Sequence, residues 1–271
     1  MLELLISISV MGMLAGLLLP AVQAAREAAR RAGCTHNLRQ IGFALHLRHD
    51  AQGRFPAGWR TVPGTRSAMG WASKLLPYLE QQNVSRLVDD HAAINAPSNA
   101  TACSLTLPVM LCTSDVEVKR FELFKEIDHE LSGQASVETL VELPAANYAG
   151  VFGSSDPDAE PARCGEGAFT ANHELSMAEV RRGSTHLLFV GERTARKLPT
   201  TWLGIDLQGE DATGRVTGQA WLGPNRPDAD ECEFDSRHPG GVNFLWGDNH
   251  VAWVVDEIDP ALYRQLASVE E

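Results

Sequence analysis

The chain is short of positive charge. Of its 271 residues, 23 are Lys or Arg and 35 are Asp or Glu, a formal net charge of −12. A nucleic-acid binder neutralises phosphates with clustered Lys and Arg, so this balance argues against that class. Aromatic residues are sparse at 7%, yet 44% apolar content and mixed charge are enough to bury a core and argue against disorder. The usual marks of catalysis and metal binding are missing as well. There is no His-Glu-x-x-His, no paired Cys-x2-Cys, no Gly-x-Ser-x-Gly and no Gly-Lys phosphate loop. His129-Glu130 and His173-Glu174 each lack a second His four positions on. No enzyme is expected. Internal repeats and low-complexity linkers are absent too.

Only one long apolar run is present. Leu4 to Ala25 holds 22 residues without a charge, preceded by Glu3. As a helix it spans roughly 33 Å, enough for a hydrocarbon core of about 30 Å. A cleaved signal peptide would use Val22-Gln23-Ala24, but no basic n-region precedes the run. An ordinary anchor would place the body in the cytoplasm, because Arg26, Arg30 and Arg31 follow the run and nothing basic precedes it. Glu3 favours a third reading. A carboxylate at the head of an apolar helix is costly in lipid unless a partner neutralises it. Met1-Leu2-Glu3-Leu4-Leu5-Ile6, with Pro20 seventeen residues after the acid, resembles the start of type IV prepilins and pseudopilins. The chain starts inside that segment, and the resemblance implies a basic leader upstream, cut by a prepilin peptidase and followed by N-terminal methylation.

Beyond the apolar run the helix is expected to continue to about His49. Leu38, Ile41 and Leu45 form its stripe, and Asp50-Ala51-Gln52-Gly53 ends it. Residues 1–50 carry a charge of +2, which leaves −14 on residues 51–271. The first segment therefore reads as a membrane or filament helix and the second as a globular acidic head. In the head, Trp71 to Val88 reads as a helix interrupted by Pro77, 89–106 as a loop and Leu107–Cys112 as a strand-like run. Residues 115–143 read as a charged, variable insertion. Strands are expected over Asn147–Gly153 and His186–Arg193. The tail gives the clearest hairpin: Val242, Phe244 and Trp246 alternate, Gly247-Asp248-Asn249 turns, and Val251, Trp253 and Val255 alternate back. Helix first and strands after predict an α+β fold with an antiparallel sheet.

Six blocks extend the resemblance along the chain. They are residues 21–31 (Ala-Val-Gln-Ala-Ala-Arg-Glu-Ala-Ala-Arg-Arg), 37–42 (Asn-Leu-Arg-Gln-Ile-Gly), 76–81 (Leu-Pro-Tyr-Leu-Glu-Gln), 112–115 (Cys-Thr-Ser-Asp), 189–193 (Phe-Val-Gly-Glu-Arg) and 236–244 (Ser-Arg-His-Pro-Gly-Gly-Val-Asn-Phe). Together they resemble a large bacterial family of unknown function, pilin-like at its N-terminus, with a C-terminal His-x9-Asp-Gly motif and some members labelled solute-binding. Here the motif is His238 and Asp248, with Asn249 where Gly is expected; Asn tolerates positive φ best after Gly. The resemblance implies a type IV pilin-like fold with a long helix packed on the head. It also implies a non-enzymatic subunit held single-pass in the inner membrane, its head outside the cytoplasm, before assembly into a surface or secretion filament. Glu3 would set register by pairing with a neighbouring subunit's N-terminal amine. Partners are then the membrane, the chain itself and other pilin-like subunits. The alternative is a membrane-tethered binder of a sugar or other solute, for which Trp59, Trp202 and Trp221 are candidate contacts.

No catalytic residue is assigned. His238 and Asp248 lie about 33 Å apart if the strand between them is straight, whereas Asp248 and His250 flank one turn. Turn chemistry explains them best, with Asp248 bonding its own backbone and His238 capping a loop. Calcium, if bound, would be held by the loop carboxylates of the 228–235 run, Asp228, Asp230 and Asp235 among them; Asp248 and His250 are separate candidates for a metal or ligand, and the commoner fate of such an acidic run is a solvated face. Five cysteines (Cys34, Cys103, Cys112, Cys164, Cys232) allow two disulfides and one odd thiol outside the cytoplasm. Cys34–Cys112 and Cys103–Cys112 are both plausible pairs.

Overall fold

The computed structural model describes residues 2–115, 118–125, 138–159 and 165–270, apart from the side chains at positions 2, 5, 8, 10 and 15. Helix α1 spans Leu2–Gln52, 51 residues that run through Pro20. It stops at Gly53, whose φ of +75° is open to glycine and whose N–H donates to the His49 carbonyl at 2.6 Å.

The helix has two unlike halves. Before residue 26 the described apolar side chains are exposed on every side, among them Leu4, Ile6, Met11, Leu14, Leu17 and Leu18. From Glu27 onward one seam turns inward: Glu27, Arg31, Cys34, Leu38, Ile41, Leu45 and Arg48 are buried or half-buried. Their alternating steps of four and three make a 3.5-residue repeat, the spacing that keeps one helix face on its partner. The expected stripe of Leu38, Ile41 and Leu45 is the fully buried centre of this seam. Each of the three stabilises the docked helix by about 1.5–3 kcal/mol. Among the described residues no helix is long and apolar enough to cross a membrane.

The head carries three small sheets. Its strands are β1 (Trp59–Thr61), β2 (Ser67–Gly70), β3 (Arg120–Phe124), β4 (Thr139–Ala146), β5 (Tyr148–Gly153), β6 (Leu188–Glu192), β7 (Thr200–Thr201), β8 (Gly204–Asp206), β9 (Thr217–Gln219), β10 (Gly241–Trp246) and β11 (Val251–Val255). They pair as β1-β2-β8, β11-β10-β6-β5-β9 and β3-β4-β7. Every pairing is antiparallel except β5 with β9. Three short helices complete the head: α2 (Gln82–Ser85), α3 (Ala100–Cys103) and α4 (Pro260–Leu266). The fold is α+β, a long N-terminal helix on antiparallel sheets, as expected. The helix rests on β10 and β11 and on a 3-10 turn at Trp71–Tyr78.

The tail hairpin forms as read, with Gly241 opposite Val255 and Leu245 opposite Val251. Asn249 occupies the turn with φ +74°. Gly42 of α1 is pressed against that turn: a Cβ there would lie 1.9 Å from Asn249 Oδ1 and 2.7 Å from Leu245 Cδ1. The helix can approach the sheet this closely only because residue 42 has no side chain.

Four expectations change. The loop read over 89–106 holds a 3-10 turn at Pro97–Asn99 that runs into the single turn α3. The Trp71–Val88 helix is a 3-10 segment ending at Tyr78, followed by the single turn α2. Pro77 removes a helical donor and Glu80 takes φ +59°, which together break any longer helix. The Leu107–Cys112 strand is a 3-10 turn over Pro108–Met110, since Pro108 suits the first position of a turn and has no N–H for a ladder. The 115–143 insertion carries paired strands at its flanks, with Arg120 opposite Pro144 and Phe124 opposite Thr139. Half-exposed charges such as Arg120 and Glu142 hide the alternation there. Residues 126–137, in the middle of that insertion, lie outside the described residues.

Candidate functional site

Five of the six resemblance blocks, all but residues 76–81, contribute a residue where α1 crosses the head: Glu27, Asn37, Cys112, Glu192 and His238. Cys34 faces inward from the seam. Cys112 comes from the turn after Pro108–Met110, Glu192 ends β6, and His238 sits on the loop before β10. All four are buried, and one donor atom from each lies within 4.8 Å of the others.

The two sulfurs are in contact, Sγ to Sγ 2.6 Å, and both residues are free cysteines. Cys112 Sγ lies 3.6 Å from His238 Nε2. The other imidazole nitrogen, Nδ1, is hydrogen-bonded to Glu27 Oε1 on α1. Glu192 is held from three sides: Ser236 Oγ donates to Oε2 at 2.9 Å, the Asn243 N–H donates to Oε2 at 3.2 Å, and Asn243 Nδ2 donates to Oε1 at 3.0 Å.

The surrounding shell is backbone-directed. Asn147 Oδ1 accepts from the Cys112 N–H at 2.9 Å, and its Nδ2 donates to Asp115 Oδ2 at 2.9 Å. Asp115 also accepts from the Ala195 N–H at 2.7 Å and from Arg237 Nε at 2.9 Å. Asn37 Nδ2 donates to the Leu111 carbonyl at 2.9 Å. Next to Glu192, the buried Arg193 donates from Nη1 to the carbonyls of Thr217 (3.1 Å) and Cys232 (2.9 Å), and from Nη2 to Gly214. Burial pulls its guanidinium down to about 10.

Electrostatics tie the four residues together. The hydrogen bond from Cys112 holds the Cys34 thiol down to about 4, while the same contact drives Cys112 up. One proton therefore serves both sulfurs. Burial alone would discharge His238, but its bonds to Cys34 and Glu27 outweigh that and push it up to about 9. Burial raises Glu192 to about 7. His238 in turn holds Glu27 below the usual carboxylate range. The arrangement is an imidazolium set between carboxylates and a sulfur pair, buried between α1 and the head.

Other site residues fall elsewhere. His238 is not a loop cap: it is buried against Glu27 and Cys112, because the loop before β10 dips under α1. Asp248 stays at the hairpin turn, where its Oδ1 accepts from the His250 N–H at 3.1 Å. Cys112 faces Cys34, and Cys103 Sγ turns to the Ile94 carbonyl at 3.5 Å, so the structure does not bring Cys103 and Cys112 together. Cys232 is buried under Gly214, and Cys164 lies outside the described residues. Asp248 and His250 meet as a pair at the hairpin turn, Oδ1 to Nδ1 2.5 Å, whereas the acidic run Asp228, Asp230 and Asp235 does not gather. Asp228 pairs with Arg226, Asp230 accepts from the Cys232 N–H, and Asp235 holds Thr194 through its N–H and hydroxyl. Only Asp230 joins a donor group, with Asp156 and Cys232. Trp59 and Trp202 are core residues; Trp221 remains 45% exposed beneath Arg264. Glu3 lies in the exposed first turn of α1.

Sequence reasoning missed Glu27, Glu192 and Arg193 as site residues. The signal was present: Glu27 is the only acid between Glu3 and Asp50, and Glu192-Arg193 closes an apolar strand where charge is costly without partners.

The model of a protein family described as a protein of unknown function (DUF1559), labelled SBP_bac_10, matches residues 23–261. No curated protein and no solved structure matches the chain.

Proposed function

The chain belongs to this DUF1559 family, and from that premise we propose that it is a non-enzymatic type IV pilin-like or pseudopilin-like subunit. The observation that carries the reading is α1. Half of one continuous helix docks on the head along a 3.5-residue seam, while the other half leaves apolar side chains exposed on every side. Such a surface does not rest in water; it requires lipid or the helices of neighbouring subunits. Leu4–Leu19 would hold the subunit in the inner membrane, with the acidic head outside the cytoplasm. In a filament, Glu3 would pair with the N-terminal amine of the next subunit. That contact is strengthened where water is excluded.

The test is the mature N-terminus of the native protein, read by mass spectrometry of membrane and surface-sheared fractions. A methylated N-terminal residue just upstream, with Glu3 retained, supports processing as a pilin. A chain starting near Ala25 overturns the reading.

A second reading, a membrane-tethered binder of a carbohydrate or other solute, has one observation in its favour. A groove of about 440 Å³ is lined by Arg60, Thr61, Lys74, Asp90, His91 and Asn172. Two of the three tryptophans that would have served such a role are in the core, which weakens it. Saturable binding of a sugar to the full chain, lost in Asn172→Ala, would shift the assignment.

A further inference from the structure

We propose that Cys34 and Cys112 are joined by a disulfide that fastens the long helix to the head, with His238 as the imidazole that activates the pair. The two sulfurs belong to elements 78 positions apart and already touch. Both are buried at the centre of the α1 seam. Cys103 and Cys232, the other described cysteines, are turned to different neighbours. The inference uses the extracytoplasmic head of the preceding section only for the oxidising setting.

The alternative chemistry for this donor set is a zinc ion, and the geometry is against it. Two thiolates on one tetrahedral zinc stand about 3.8 Å apart, well beyond the 2.6 Å seen here. Glu192 also has both oxygens engaged by Ser236 and Asn243, leaving it poorly placed to turn toward a metal. His238, held on Nδ1 by Glu27, aims Nε2 at the sulfurs.

Oxidation requires an acceptor, and the class that fits is a protein disulfide of the dithiol–disulfide oxidoreductase type. His238 and Cys112 both belong to the head, Nε2 to Sγ 3.6 Å, so the imidazole favours Cys112 as the attacking thiolate before α1 docks. The Cys112 thiolate attacks one sulfur of that disulfide, and the displaced sulfur leaves as a thiolate. Cys34 then loses its proton to that thiolate and attacks the Cys112 sulfur, expelling the second acceptor sulfur, which takes up the proton Cys112 had released. Two thiols become one disulfide, and the acceptor gains two electrons and two protons. Because both sulfurs are buried in the docked state, exchange occurs before α1 closes on the head.

The experiment uses the full chain, isolated without reductant from an oxidising compartment, denatured in the presence of N-ethylmaleimide and digested. The expected result is one linked peptide pair carrying Cys34 and Cys112, lighter by two hydrogen atoms than the separate peptides, with Cys103 and Cys232 alkylated. Reduction of the intact protein should lower its Tm by at least about 5 °C. Alkylation of both Cys34 and Cys112 without reductant overturns the proposal. Equimolar zinc retained by the purified protein, with both thiols reactive after chelation, also overturns it in favour of a metal centre. Neither result touches the N-terminal processing test, so this inference and the pilin reading can fail separately.

Discussion

His238 Nδ1 and Glu27 Oε1 share a hydrogen bond across 211 positions of sequence. The contact joins the first residue of the docked seam to the loop before β10. It also reassigns the His-x9-Asp spacing: His238 works with the helix, while Asp248, at the far end of β10, works with the hairpin turn. The two motif residues are linked by a strand and do not form one site.

His238 should therefore titrate far above a free imidazole. With the thiols reduced, its ring is expected to keep its proton up to about pH 9. Glu27→Gln removes the carboxylate on Nδ1 and should lower that midpoint by one unit or so toward the ordinary value of about 6.5. NMR of the imidazole protons across the titration measures both. An unchanged midpoint in the variant would show that Glu27 does not set it.

Glu192 gives the stability a pH slope. Burial raises its carboxyl from 4.5 to about 7, so the folded state holds the proton more tightly than the unfolded chain. Its contribution is complete below about pH 4.5 and falls as the pH climbs to 7. The loss is about 2–3 kcal/mol, following from 1.36 kcal/mol per unit. Urea unfolding at pH 5 and pH 7 reads it, and Glu192→Gln should flatten this part of the profile.

Gly42 sets two effects against each other. Alanine improves the helix by about 1 kcal/mol relative to glycine. Its Cβ would meet Asn249 Oδ1 and Leu245 Cδ1 well inside contact distance, and Asn249 is held at positive φ by the hairpin turn. Overpacking of this kind costs typically about 1–3 kcal/mol. Gly42→Ala should therefore be destabilising by about 1 kcal/mol in thermal or urea unfolding, the reverse of the propensity ranking.

The first half of α1 should be dispensable to the head. None of its described side chains before Arg26 is buried. A chain starting at Arg26 should unfold at the same temperature as the full chain within about 2 °C and run as a monomer on size exclusion. The full chain should require detergent or self-associate. A large fall in melting temperature would place part of the head's stability in residues 2–25.

The sequence by itself determined what short-range periodicity carries. The long helix, its Leu38–Ile41–Leu45 stripe, the stop at Gly53 and the tail hairpin all follow from spacing and turn chemistry within a few residues. So does the strand at Leu188–Glu192, an apolar run closed by charge. Where a proline stood inside an apolar run, at Pro77 and Pro108, composition suggested regular structure that the missing N–H does not allow. The charged flanks of the 115–143 segment read as insertion, because only pairing between residues 120 and 144 shows that they are strands. The site depended on tertiary structure almost entirely. Glu27 and Cys34 share the seam of α1, but Cys112, Glu192 and His238 come from three other stretches, and no local period relates those to the helix or to one another. Their meeting is decided by how α1 crosses β10, which the bare backbone of Gly42 permits. A sulfur pair, an imidazole and two carboxylates can shift one another's protons only after that crossing has excluded the water between them.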